Sequence, residues 1–373
     1  MTRKAIALLL FAGLGVASGQ NPKNNGLLRR TSAETESETE TETAETPTQG
    51  NSSDVFVSTT PLKCDDLSLL VGKRRLTRDI LIDETCAAAP LESHVAALEV
   101  IEGLITINNT ALETNFAVSF PKLREVRGRE GEGGNVEVFN NTNLEVLSMD
   151  ALESVNGNFT VGLWFMGNPS LRVISLPALA STGGDFYVSS NSTLTSFSVP
   201  ALTSTGEYFA VYSNSALTSL SVPTLTSTGE YFLVNSNSAL TSLSVSALTS
   251  IAGSFGFSAN SALTSLSVPA LTSVEGALRI GGPTSWGRQR PNPSLESIHL
   301  PQLEEVGGSF IVKNNQALSE LVLRSCPEEE GEGGRGECLS VGGTVDVQAV
   351  GEGGTSVSSV SALLAAFGGQ NQS

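Results

Sequence analysis

From about residue 100 the apolar positions of this chain return on a fixed beat. The segments NSTLTSFSVPALTSTG from Asn191, NSALTSLSVPTLTSTG from Asn214, NSALTSLSVSALTSIAG from Asn237 and NSALTSLSVPALTSVEG from Asn260 stand 23 residues apart. A period of that size marks a solenoid: one repeat cannot bury its apolar stripe alone, and stacking supplies the missing neighbour. Weaker copies continue the register, with an asparagine three residues before a leucine at Asn109, Asn141 and Asn168 on one side and at Asn292 and Asn315 on the other. Nine coils follow. Each is expected to hold two short strands. In the copy at Asn214 the residues Leu217, Leu220, Val222 and Leu225 point inward; in the preceding GEYFAVYSN, Phe209 and Val211 alternate inward while Tyr208, Ala210 and Tyr212 face out.

The punctuation agrees with that reading. The recurring asparagine keeps phase with the core leucines, so its amide is expected to satisfy turn groups of its own and adjacent coils. Pro177, Pro200, Pro223, Pro269 and Pro301 fall just after the short apolar strand, where a missing N–H does least harm. Gly157, Gly206, Gly229, Gly253, Gly276 and Gly307 mark the next bend, where conformational freedom is the expected reason.

Outside the periodic block the chemistry changes. MTRKAIALLLFAGLGVASG has a basic start, a short apolar run and small residues before position 20, which predicts a signal peptide over 1–19. Residues 20–60 carry SAETESETETETAETPTQG, acidic and without an aromatic, and are expected to form a disordered stalk. An N-terminal cap is expected over 61–97, with a helix within Glu92 to Ile101, then the solenoid over 98–325, a C-terminal cap over 326–345 and a flexible tail over 346–373. The tail is apolar around Leu363 to Phe367 but ends in polar residues, unlike a lipid-anchor signal. No segment after the first 19 residues is long and apolar enough to span a membrane.

Cys64 and Cys86 precede the repeats, and Cys326 and Cys338 close them. In an oxidising compartment the two pairs read as disulfides on the caps. A tetrahedral metal site is the other reading, although the spacings are wide and no histidine accompanies either pair. Export makes Asn51, Asn108, Asn140, Asn158, Asn191 and Asn371 candidate glycan acceptors. The net charge of −17 argues against a nucleic-acid partner, which needs concentrated Lys and Arg.

Catalytic constellations are missing from the sequence. His94 and His299 are the only histidines and lie far apart, no G-x-S-x-G elbow occurs, and no cofactor fingerprint or metal motif is present. The chain therefore reads as a non-enzyme without a cofactor. Asp185, Glu207 and Glu230 form a candidate carboxylate column; paired carboxylates hydrolyse glycosides on some scaffolds, but a solvated charged edge is the plainer explanation of this column. All four tyrosines, Tyr187, Tyr208, Tyr212 and Tyr231, fall on neighbouring copies of one strand and are expected to face outward beside those carboxylates. Exposed rings there suit a glycan or a peptide; β-propensity on a solvent-facing strand is the plainer explanation. Two insertions break the period, RGREGEGG from Arg127 and GGPTSWGRQRPN from Gly281, and the second brings Trp286, Arg288 and Arg290 as further ligand-binding candidates. Trp164 is expected to shield the coils. Thr203, Thr226, Thr249 and Thr272 form a hydroxyl column that would suit an ordered surface.

The form N-x-x-L-x-x-L-x-hydrophobic-P-x-L, followed by a glycine and another short strand, resembles the receptor L-domain repeat. The likeness spans roughly residues 64–345, including LEVIEGLITINNTAL at Leu98 to Leu112 and LESIHLPQLEEVGGSFIVKNNQAL at Leu295 to Leu318. It implies a mainly β fold: a right-handed leucine-rich β-solenoid of about nine coils with disulfide-stapled caps. Such modules bind peptide ligands in insulin- and epidermal-growth-factor-type receptors, and similar repeats occur in fungal cell-surface proteins associated with wall organisation. Two expectations result: a secreted or cell-surface module that recognises an extracellular protein or glycan, or a structural component of a cell wall or matrix.

Overall fold

A computed structural model describes residues 54–84, 86, 91–108, 116–129, 133–161, 167–282, 290–324 and 339–347. It is mainly β, a parallel solenoid of about nine asparagine-marked coils. Each central coil contributes three strands, one more than the sequence suggested. The coil around Leu220, for example, carries Ser219–Ser221, Ser227–Thr228 and Phe232–Asn235. The first of these belongs to a face divided into three three-stranded ladders. The second lies in a 12-stranded sheet of short strands, and the third in an 11-stranded sheet of mostly four-residue strands. The middle strand escaped the pattern because it has two residues and no apolar alternation; its inward residue is a threonine. Thr182, Thr205 and Thr228 are buried at that position, and each hydroxyl donates to the carbonyl two residues on.

Every strand pairs with its counterpart one coil away, so identical positions stack. Phe209 pairs with Phe232 and Val211 with Val234. Phe159, Phe186, Phe209, Phe232 and Phe255 consequently form one nearly parallel run of rings with centroids 5.2 to 5.5 Å apart. The core is continuous from Leu62 to Leu339, as expected when each repeat buries its stripe against the next.

The asparagines behave as their phase predicted. Asn141, Asn168, Asn191, Asn214, Asn237, Asn260, Asn292 and Asn315 are all fully buried. Along most of the column each backbone N–H donates to Oδ1 of the next asparagine, as from Asn191 to Asn214 at 3.0 Å and from Asn214 to Asn237 at 3.1 Å. Nδ2 donates back to a long-strand carbonyl, as from Asn214 to Val188 at 3.0 Å and from Asn237 to Val211 at 3.0 Å. The residue before the asparagine turns the chain with positive φ, 56 to 59° at Asn140, Ser190, Ser213, Ser236, Ala259 and Asn314.

The glycines need a different reason from the one expected. Gly206 and Gly229 do not have positive φ; a Cβ on them would lie 1.9 Å from the Gly183 carbonyl oxygen and 1.8 Å from that of Gly206. They are glycines because adjacent coils touch backbone to backbone at this bend.

The ends also depart from the expected boundaries. Val55–Phe56, within the segment expected as stalk, pairs with Arg75–Leu76, and Ile80–Ile82 already belongs to the long-strand sheet. At the other end Ser340–Val341 and Val345–Val347 form a last rung that runs two residues into the expected tail. Terminal rungs need only two or three backbone-paired residues, so they carry no leucine signature. The cap helix is short, Leu91–Val95, since Val100–Glu102 is already a strand that places Ile101 in the core. Cys64 and Cys86 form a disulfide with Cα atoms 5.2 Å apart. Cys326 and Cys338 lie outside the described residues.

Candidate functional site

The outer surface of the long-strand sheet carries the tyrosines, and three columns of side chains organise it. One column stands just before each long strand and serves the backbone. Oδ1 of Asp79 accepts the Leu104 N–H at 2.9 Å, Asn135 accepts from Asn158 at 2.9 Å, and Asn158 accepts from Asp185 at 2.9 Å. Asp185 then accepts from Tyr208 at 3.1 Å, and further along Ser254 accepts from Ala277 at 2.9 Å. Asp185 is thus half-buried in a structural relay. Its carboxyl is pushed up to about 6, chiefly by burial; the Tyr208 N–H opposes this, and the charges of Glu207 and Glu230 add to it.

Between Asp185 and Ser254 this column holds Tyr208 and Tyr231. Their rings stack at 4.9 Å with planes 15° apart, and both are half-buried. Burial, the hydrogen bond to Glu230 and that residue's charge push the Tyr208 hydroxyl above its usual range; burial and Glu230 do the same to Tyr231, with Arg279 opposing. Glu207 and Glu230 are exposed beside the pair.

The next column outward is closed to water at its centre. Tyr187 pairs with Ala210, and Ala210 with Leu233. Tyr187 is only 9 % exposed, Ala210 is fully buried and Leu233 is 7 % exposed. This corrects the expectation that all four tyrosines are presented together. Tyr187 packs edge-on against Tyr212, with centroids 5.0 Å apart and planes at 88°, and burial raises both hydroxyls. The set is therefore two pairs: Tyr208 with Tyr231 on an open rim, and Tyr187 with Tyr212 packed over the strands. Sequence reasoning passed over Leu233 and Arg279. The unbroken apolar runs FAV at Phe209 and FLV at Phe232 were the available signal, because strands buried on both faces lose their alternation. Arg279 follows in the same column beyond Gly256, half-buried, and burial lowers its pKa while Tyr231 opposes that shift.

Of the second insertion, Arg290 is described and exposed. Its Nη1 donates to Ser236 Oγ at 2.7 Å, tying the insertion's end to a turn 54 residues earlier. Trp286 and Arg288 lie outside the described residues, as does Trp164. His299 stands on its strand half-exposed with Nε2 3.2 Å from a Glu320 carboxylate oxygen. Along the threonine column the hydroxyls are already engaged: Thr203 donates to the Ala180 carbonyl at 3.0 Å, Thr226 to Thr203 at 2.9 Å, Thr249 to Thr226 at 2.9 Å and Thr272 to Thr249 at 3.0 Å.

Among the candidate glycan acceptors, Asn140 is exposed, whereas Asn108 and Asn158 are half-buried. Asn191 is a correction: it is fully buried in the asparagine ladder with Nδ2 directed at Asn214, which leaves no space for a sugar in the folded chain. Asn51 and Asn371 lie outside the described residues.

These features define a class, the parallel three-faced β-solenoid with an internal amide ladder and a decorated outer sheet. Within it, residues 79–176 match the family model of the Receptor L domain. The matched segment covers early, irregular coils and stops before the uniform central ones. No curated protein and no solved structure matches the chain. Among the described residues no helix is long and apolar enough to cross a membrane.

Proposed function

We propose that this protein is a secreted or cell-surface, non-catalytic module that recognises a glycan or protein ligand through the rim at the start of its long strands. The observation that carries this reading is the stacked Tyr208–Tyr231 pair. Where neighbouring coils place small side chains that serve only the backbone, these two place aromatic rings at the surface beside the exposed Glu207 and Glu230. Amphipathic rings beside hydrogen-bonding carboxylates suit either ligand class. Residues 1–19 then direct export and the acidic segment after them holds the solenoid away from its attachment. The family match over residues 79–176 is consistent with an extracellular ligand-binding module.

The test is binding of the full secreted chain to intact surface material from the source cells, beside the double variant Tyr208→Ser/Tyr231→Ser. Tyr187 and Tyr212 are left in place because they are packed. Saturable binding that the double variant loses is the expected result; saturable binding retained by a folded double variant sinks the rim. A structural role in a wall or matrix is the second reading, favoured by the threonine hydroxyls, which are spent on holding coils together. Absence of saturable binding by either protein selects it.

A further inference from the structure

Charge is distributed unevenly along the stack. In the first coils surface carboxylates have partners: Glu99 pairs with Arg74, Glu102 with Arg75 and Arg127, Asp79 with Arg129, and Glu153 with Arg124. Between Arg172 and Arg279 the chain holds no lysine, arginine or histidine. The charged side chains of that stretch are Asp185, Glu207, Glu230 and Glu275, all carboxylates, and the first three stand in successive coils at the tyrosine rim.

Glu207 and Glu230 hold the same register position, and the Glu230 N–H donates to the Glu207 carbonyl at 3.0 Å. Adjacent strands lie about 4.8 Å apart, and like charges directly opposite one another destabilise a sheet. The neighbouring coils hold Gly157, Gly184, Gly253, Gly276 and Gly308 at this position. The two coils that depart from glycine are the two that carry the stacked rings. Cations are remote from them: Arg279 is half-buried two coils beyond Tyr231, and Arg290 reaches this region at the far end of a strand, on Ser236. One face of each ring is covered by the other. That leaves little open ring surface for a flat sugar, whereas an alkyl stem can lie along the pair while its charged head reaches the carboxylates.

We infer that the rim takes a basic segment of a protein ligand, with a lysine or arginine head between Glu207 and Glu230 and its stem along the Tyr208–Tyr231 pair. This rests on the reading of the rim as the binding surface.

Fluorescence anisotropy of a labelled peptide of alternating lysine and serine, titrated with the full chain, tests it. Saturable binding that weakens with salt is expected, and none for the peptide with glutamate in place of lysine. Glu207→Gln/Glu230→Gln should weaken binding by about fivefold or more. Glu92→Gln/Glu296→Gln removes the same charge from exposed sites elsewhere and should change it by less than about twofold. No saturable binding of the lysine peptide overturns the inference. Equal weakening by the two double variants also overturns it, because the overall negative charge then accounts for the binding. The two readings fail separately. If Tyr208→Ser/Tyr231→Ser abolishes binding to surface material and Glu207→Gln/Glu230→Gln leaves it intact, the rim stands and the basic ligand falls; binding retained by both variants removes the rim as well.

Discussion

Two columns of side chains run along this stack and do related work with different chemistry. The asparagine ladder is uniform from Asn141 to Asn315, whereas the column before the long strands runs Asp79, Leu104, Asn135, Asn158, Asp185, Tyr208, Tyr231, Ser254, Ala277 and Ser309. The difference lies in the demand. In the ladder one side chain must accept from a neighbouring N–H and donate to a carbonyl in a dry interior, and only an amide of that length does both. In the other column an acceptor is used at some positions only, solvent is near, and Asp, Asn and Ser serve where one is used, while Leu104 and Ala277 offer none. Positions held by so loose a requirement are free to take a ring, as two of them have.

Removing one amide from the ladder should have the largest effect. Asn214→Leu leaves the Asn191 N–H and the Val188 carbonyl without their partners. A loss of about 3–5 kcal/mol is expected, at about 1–3 kcal/mol for each buried group left unsatisfied. Urea unfolding followed by circular dichroism measures it; a cost below about 1 kcal/mol shows that the ladder is not what holds the turns.

Asp185→Asn should act in the opposite direction. The amide keeps an acceptor for the Tyr208 N–H, as Asn158 does for Asp185, and removes a poorly solvated charge. The folded-state pKa is raised from 3.8 to about 6, so the folded chain holds this proton more tightly than the unfolded one. The wild-type group accordingly favours folding fully below about pH 4, and that contribution is lost as pH rises through 6. The variant should be more stable by about 2 kcal/mol at pH 7, with the gap closing toward pH 4. A gap independent of pH contradicts this account.

Smallest is Thr226→Val, which deletes one hydrogen bond to the Thr203 carbonyl at an exposed edge. About 0.5–1 kcal/mol is expected. In the same protein, binding to cell-surface material should be unaltered. Lost binding there moves the recognition surface from the tyrosine rim to the threonine column.

Much of the architecture was legible in the residues. The 23-residue beat, the inward Phe209 and Val211, and the phase of the asparagines with Leu217 and Leu240 each report a stacking requirement that recurs in every coil. Less of the candidate site was legible. Alternation assigned Tyr187 and Tyr212 outward but said nothing of what lies beside them; Ala210 and Leu233 share their surface and close it. Asn191 fits a glycosylation motif and the ladder register at once, and only burial decides between them.

Repeat length, the inward set and the internal role of the asparagine could be read from the residues alone, because stacking imposes the same local demand on every copy and so writes it many times. That Tyr208 stacks on Tyr231 while Tyr187 turns edge-on to Tyr212, and that Gly206 admits a neighbouring backbone, emerges from the packing of coil on coil. These outcomes depend on distances between coils, which no single repeat encodes.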